Sequence, residues 1–162
     1  MSTPQKANFG ELLSKTILPK VHLIALLVSA IGLVFKYMNL SGSADILMIG
    51  FSALAAVYFL SAFTMVTVAQ GSKHSPYALI LFKLLYIAAA VSVIGLLFFV
   101  LKLEGYKEML LMGSGALGVA ILFSAAFVGA NSDNMPILKR PLTFGIPILL
   151  IAVYFLYQLS IA

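Results

Sequence analysis

Polar residues gather in five short clusters along this chain, at 1–16, 39–43, 70–76, 102–106 and 131–136, and the stretches between them are apolar on every side. They show neither the period-two alternation of a half-buried strand nor the single stripe of a soluble amphipathic helix. A helix that is apolar all round belongs in a core or a membrane, and about 20 such residues cross a hydrocarbon layer roughly 30 Å thick. The pattern predicts an all-α, polytopic membrane bundle of five transmembrane helices, near 20–40, 45–69, 79–102, 108–130 and 141–161, forming one transmembrane domain over residues 1–162. Asn39-Leu40-Ser41-Gly42-Ser43 and Lys102-Leu103-Glu104-Gly105-Tyr106 are short turns that force antiparallel neighbours, and the first supplies a serine that can cap the second helix. Gln70 to Pro76 and Asn131 to Pro136 are polar loops ending in a proline suited to a helix start. Gly145-Ile146-Pro147 predicts a local kink in the fifth helix, and Tyr154 and Tyr157 sit where interfacial anchors belong.

A shift of 63 positions carries residues 28–62 onto 91–125 without a gap. Val28-Ser29, Ile31-Gly32-Leu33 and Phe35 fall on Val91-Ser92, Ile94-Gly95-Leu96 and Phe98; Leu40 and Gly42 fall on Leu103 and Gly105, Gly50 on Gly113, and Ser61-Ala62 on Ser124-Ala125. Lys20 and Lys83 extend the register towards the N-terminus, and the acids Asp45 and Glu108 also coincide. Two unrelated apolar segments would match leucines and alanines rather than glycines, a lysine and an acid. The expectation is a duplicated hairpin, repeat 1 over about 20–69 and repeat 2 over about 83–130, entering the membrane from the same side as parallel repeats, with the fifth helix unpaired.

Composition sharpens the class. With 62% hydrophobic and 9% charged residues, the chain departs far from soluble domains, which are about 45–50% apolar and 25% charged. The net charge of +5 lies in no basic run or aromatic-interleaved face, so no nucleic-acid partner is expected. It reads as orientation instead. Lys6, Lys15, Lys20, Lys73, Lys83, Lys139 and Arg140 share one side with Glu11 and Asp133; Lys36, Lys102 and Lys107 share the other with Asp45, Glu104 and Glu108. The positive-inside rule puts the N-terminus in the cytoplasm and the C-terminus outside, and a bacterial inner membrane is the expected location. No small-x-small cleavage site follows the first apolar run, so that helix is expected to be retained.

Candidate chemistry is sparse. The absence of cysteine excludes disulfides and thiolate ligands. His22 and His74 lack a carboxylate to complete a metal set, no serine has a base at matching depth, and no cofactor motif occurs. Small residues recur at helical spacing in Ser29, Gly32, Ser92, Gly95, Gly50 and Gly113, a pattern that lets helix backbones approach closely. Lys36 and Lys83 lie deepest among the charges, and with Tyr58 and Tyr86 they are the candidates nearest to mid-depth. Lys36 either snorkels to the interface or pairs across the turn with Asp45, as Glu108 would with Lys102 or Lys107.

The first hairpin, with Gly32-Leu33-Val34-Phe35-Lys36, Leu40-Ser41-Gly42, Ile46 to Gly50 and Ala56 to Phe63, resembles the transmembrane hairpin of the GldL family, the L subunit of the gliding-motility and type IX secretion motor of Bacteroidota. In that family a membrane glutamate belongs to the proton pathway; the corresponding residues here are Leu54 and Leu117, and Phe99 replaces the lysine in the second copy. The family's long cytoplasmic region also has no counterpart in this sequence. The resemblance thus implies a shared module without proton-driven torque. The expected function is a non-enzymatic inner-membrane protein, a structural or assembly component whose partners are the bilayer and other membrane subunits or further copies of itself. The competing expectation is a small transporter or channel with a cavity between the two hairpins.

Overall fold

The structure, a computed structural model, describes residues 16–69, 76–130 and 135–161. The predicted loops at Gln70 to Ser75 and Asn131 to Asn134, the lysines Lys6, Lys15 and Lys73, and His74 lie outside the described residues. Five helices follow in order: α1 Leu18–Tyr37, α2 Ser43–Ala69, α3 Pro76–Leu101, α4 Tyr106–Ala130 and α5 Met135–Ile161. All five are long and apolar enough to cross a membrane, as the sequence pattern requires.

The two short turns are built alike. Asn39 and Lys102 adopt left-handed backbone conformations with φ 53° and 54°. At the first, the N–H of Asn39 donates to Lys36 O and that of Leu40 to Phe35 O; at the second, Lys102 donates to Phe99 O and Leu103 to Phe98 O. These paired bonds form the Schellman motif, which satisfies the last carbonyls of a helix. Gly42 and Gly105, at φ 79° and 75°, then reverse the chain, and their carbonyls accept the first helical bonds from Ile46 and Met109. Gly42, rather than a serine, therefore stands at the N-cap of α2, which begins at Ser43.

Close approach fixes the register within each hairpin. A Cβ at Gly50 would stand 2.7 Å from the Ser29 nitrogen, and one at Gly113 would stand 2.8 Å from Ser92 Cα. Gly32 lies against Leu47, and Gly95 against Met109 and Leu110. The serines turn their hydroxyls back into their own helices, Ser29 Oγ donating to Ala25 O and Ser92 Oγ to Ala88 O, both at 2.8 Å. Ser92 Oγ also reaches across to Gly113 O at 2.6 Å.

Beyond the hairpins, the helices form a row rather than a ring. Contacts run α1 to α2, α2 to α3 and α3 to α4, and α5 packs on both α3 and α4. Phe99 meets Phe155, whereas Gly118 faces Leu149 and Gly145 faces Leu117 and Ile121. Helix α5 thus runs with α3 and against α4. Helix α3, enclosed by three neighbours, carries more of the core than any other helix.

Helix α5 begins at Met135, earlier than the predicted 141. Pro136 fits a first turn, where its missing N–H has no intrahelical partner to lose, and Leu138 is fully buried, anchoring the added turn. The helix runs through Pro141 and Pro147. Thr143 Oγ1 donates to Lys139 O at 2.8 Å in this stretch, and the carbonyls left without a helical donor by Pro141 and Pro147 are those of Ile137 and Thr143. Tyr154 and Tyr157 are exposed near its far end.

Candidate functional site

The side of the bundle holding the first residues of α1, α3 and α5 contains a groove of about 600 Å³. Helix α1 supplies Leu18, Pro19, His22, Leu23, Leu26 and Leu27, and α2 supplies Val57, Tyr58 and Ser61. Tyr86 of α3 closes the back, and Arg140 and Phe144 of α5 form the facing wall. Leu23, Leu26 and Leu27 are exposed, so the groove opens along α1 towards what would be lipid.

Register explains the polar centre. Gly50 against Ser29 and Gly32 against Leu47 align the antiparallel pair, and continuing one helical turn at a time brings His22 opposite Tyr58. His22 Nε2 and Tyr58 OH are 3.0 Å apart. The His22 ring lies 4.7 Å from Phe144 and 5.3 Å from Tyr58 between ring centres, so it ties α1 to α5 as well as to α2. Tyr58 continues to Tyr86 at 6.4 Å, and Tyr86 to Phe82 at 4.9 Å. Ser61 Oγ is committed to Val57 O at 2.7 Å.

The positions 63 residues further on are different in kind. His22 and Tyr58 correspond to Leu85 and Ile121. Leu85 is buried, and Ile121 is covered by α5 at Gly145. The equivalent place in the second hairpin is therefore apolar and sealed, whereas the first is polar at its centre and open.

The residues favoured by the sequence fall elsewhere. Ser29, Gly32, Gly50, Ser92, Gly95 and Gly113 are buried at the two hairpin contacts. Lys36 and Asp45 are exposed at the opposite end of the first hairpin, and the structure does not join them in an ion pair. Each instead answers its own helix dipole, Lys36 in the last turn of α1 and Asp45 in the first turn of α2. Glu108 lies likewise in the first turn of α4, and Lys107 stands over the Tyr106 ring at 6.0 Å rather than beside an acid. Lys83 is half-buried on α3. Spacing alone leaves His22 a lone histidine; the glycine and serine contacts, extended towards the N-terminus of α1, are the signal that pairs it with Tyr58.

Among the described residues no three His, Cys, Asp or Glu side chains lie together. The groove therefore offers a hydrogen-bonding centre, a cation and a large apolar surface, a combination suited to holding a molecule. No family model, curated protein or solved structure matches this chain.

Proposed function

We propose that this chain is a non-enzymatic, multi-pass protein of a bacterial inner membrane that acts by holding an apolar or amphiphilic molecule in the groove beside α1. One observation carries the reading: the first hairpin opens a groove around His22 and Tyr58 where the second places a buried Leu85 and an Ile121 that packs against α5. Such concave sites, mostly apolar with a few placed polar groups, are where small molecules bind. This favours a carrier or ligand-dependent assembly component over a purely structural one. The groove lies between the first hairpin and Tyr86 of α3 with α5, and a small transporter with its cavity between the two hairpins is the second reading.

A duplicated hairpin supports the same reading. Turn bonds, left-handed residues and glycine contacts coincide at positions 63 apart, so we read the hairpins as two copies, one of which diverged around the groove. The resemblance to the GldL hairpin fits the shared packing, and Leu54 and Leu117 in place of a membrane acid speak for binding over proton coupling. The basic side, with Lys20, Lys83, Lys139 and Arg140 at the groove end, is assigned to the cytoplasm.

The test is native mass spectrometry of the protein released from mild detergent. A bound molecule should survive purification and be lost in Leu27→Trp, whose ring enters the groove. It should persist in Leu122→Trp, where the wild-type side chain is 71% exposed on α4 away from the groove. Absence of any retained molecule, or equal retention in both variants, refutes the binding role.

A further inference from the structure

Resting on that reading, we infer that the occupant is an anionic phospholipid from the leaflet on the N-terminal side of the bundle, one acyl chain in the groove and its phosphate at Arg140. Depth supports this choice. From Leu18 to Leu27 the α1 wall rises roughly 14 Å at about 1.5 Å per residue, close to half of a hydrocarbon core about 30 Å thick. The groove therefore serves one leaflet, and its open α1 side admits a chain laterally.

Charge supports the headgroup. Arg140 stands at the mouth, five residues into α5, and Lys20 and Lys139 are exposed at the same end. Among the described residues this end contains no Asp or Glu; Asp45, Glu104 and Glu108 all belong to the other. A guanidinium presents a planar fork of donors that matches a phosphate. Tyr86 lines the same groove and its hydroxyl has no hydrogen-bond partner among the described residues, so it supplies a second donor beneath the cation.

The chain contains no tryptophan, so Phe144→Trp, an aromatic-for-aromatic exchange that adds little volume, places a single fluorophore on the groove wall, and Leu122→Trp provides a lipid-facing control. Each full-length variant, in nanodiscs, is exposed to phosphatidylglycerol or phosphatidylcholine brominated in the acyl chain. Phosphatidylglycerol should quench the groove tryptophan with about fivefold preference, the effect of one cation on an anionic lipid. The control should show none. Combining Phe144→Trp with Arg140→Gln should abolish the preference, and with Arg140→Lys should retain most of it. Equal quenching by both lipids, stronger at the groove tryptophan than at the control, overturns the headgroup inference and leaves the groove reading intact. A preference that survives Arg140→Gln likewise removes Arg140 as the anchor. Quenching in the groove no stronger than at the control defeats the groove reading itself.

Discussion

Substituting Gly113 with alanine measures what holds the second hairpin together. The new methyl would lie 2.8 Å from Ser92 Cα and 3.0 Å from both Ser92 N and Val91 O, where ordinary contact begins at 3.4 Å. All three atoms are backbone, so no side chain can swing aside. Helices α3 and α4 must part locally, and a gap of about 0.5–1 Å already forfeits a quarter to a half of each dispersion contact. Overpacking of this kind costs about 1–3 kcal/mol. The bond from Ser92 Oγ to Gly113 O adds about 0.6 kcal/mol if it is lost.

Against this, alanine gains about 1 kcal/mol over glycine in a helix interior. Gly115, two residues on, isolates that gain, because nothing lies within 4 Å of its added Cβ. Gly113→Ala should therefore be less stable than Gly115→Ala by about 1–3 kcal/mol, the overpacking cost being the term that separates them. Reversible unfolding of both variants in mixed micelles, followed by helical circular dichroism, gives the difference directly. Equal stability of the two variants would show that α3 and α4 do not approach at Gly113 and would void the close contact that sets the register of the second hairpin.

Lys102 holds a left-handed conformation that glycine adopts freely, so Lys102→Gly should stabilise the protein by about 1 kcal/mol in the same unfolding assay; destabilisation would contradict the Schellman turn. Ser124 Oγ is buried without a hydrogen-bond partner, and Ser124→Ala should be neutral or stabilising, because it removes an unsatisfied group that costs about 1–3 kcal/mol. Since the chain has no cysteine, single cysteines at Ser72 and Ser160 report orientation: an impermeant thiol reagent should label the second and spare the first in intact cells, and the reverse pattern overturns the assignment. Lys36 is exposed, so Lys36→Met in liposomes should leave proton flux at the level of protein-free vesicles, and a wild-type current that disappears in this variant would restore the proton-coupled alternative.

Membrane crossing is legible in the sequence because it depends on local composition alone. Each span exceeds the length needed to cross lipid, and the polar clusters between spans leave little freedom over where the chain emerges. The turn glycines are legible for a related reason: a left-handed residue at Gly42 or Gly105 is a local necessity. Ends are less so. Pro136 and Pro141 read as a late start for α5, yet buried Leu138 draws the helix back to Met135. Burial against α3 and α4 outweighs a local preference, and no single segment reveals it.

The groove is illegible for a deeper reason, since it arises from a difference between hairpins rather than from a motif in either. Small residues shared at Ser29 and Ser92, and at Gly50 and Gly113, set one register twice. Within that common frame His22 faces Tyr58 while Leu85 lies where His22 would. Read as isolated residues, a histidine and a tyrosine 36 positions apart suggest nothing. Read through the register, they are the place where two otherwise matching hairpins disagree. Divergence at a half-buried pair, with the packing around it preserved, changes what the site can hold without altering how the hairpin folds. Lys36 and Asp45 illustrate the converse: their charge stands out in an apolar sequence, but each is explained by the helix end on which it stands. In a chain so uniformly apolar, departures between equivalent positions carry more functional information than charge does, and they converge on the wall that α1 shares with α5.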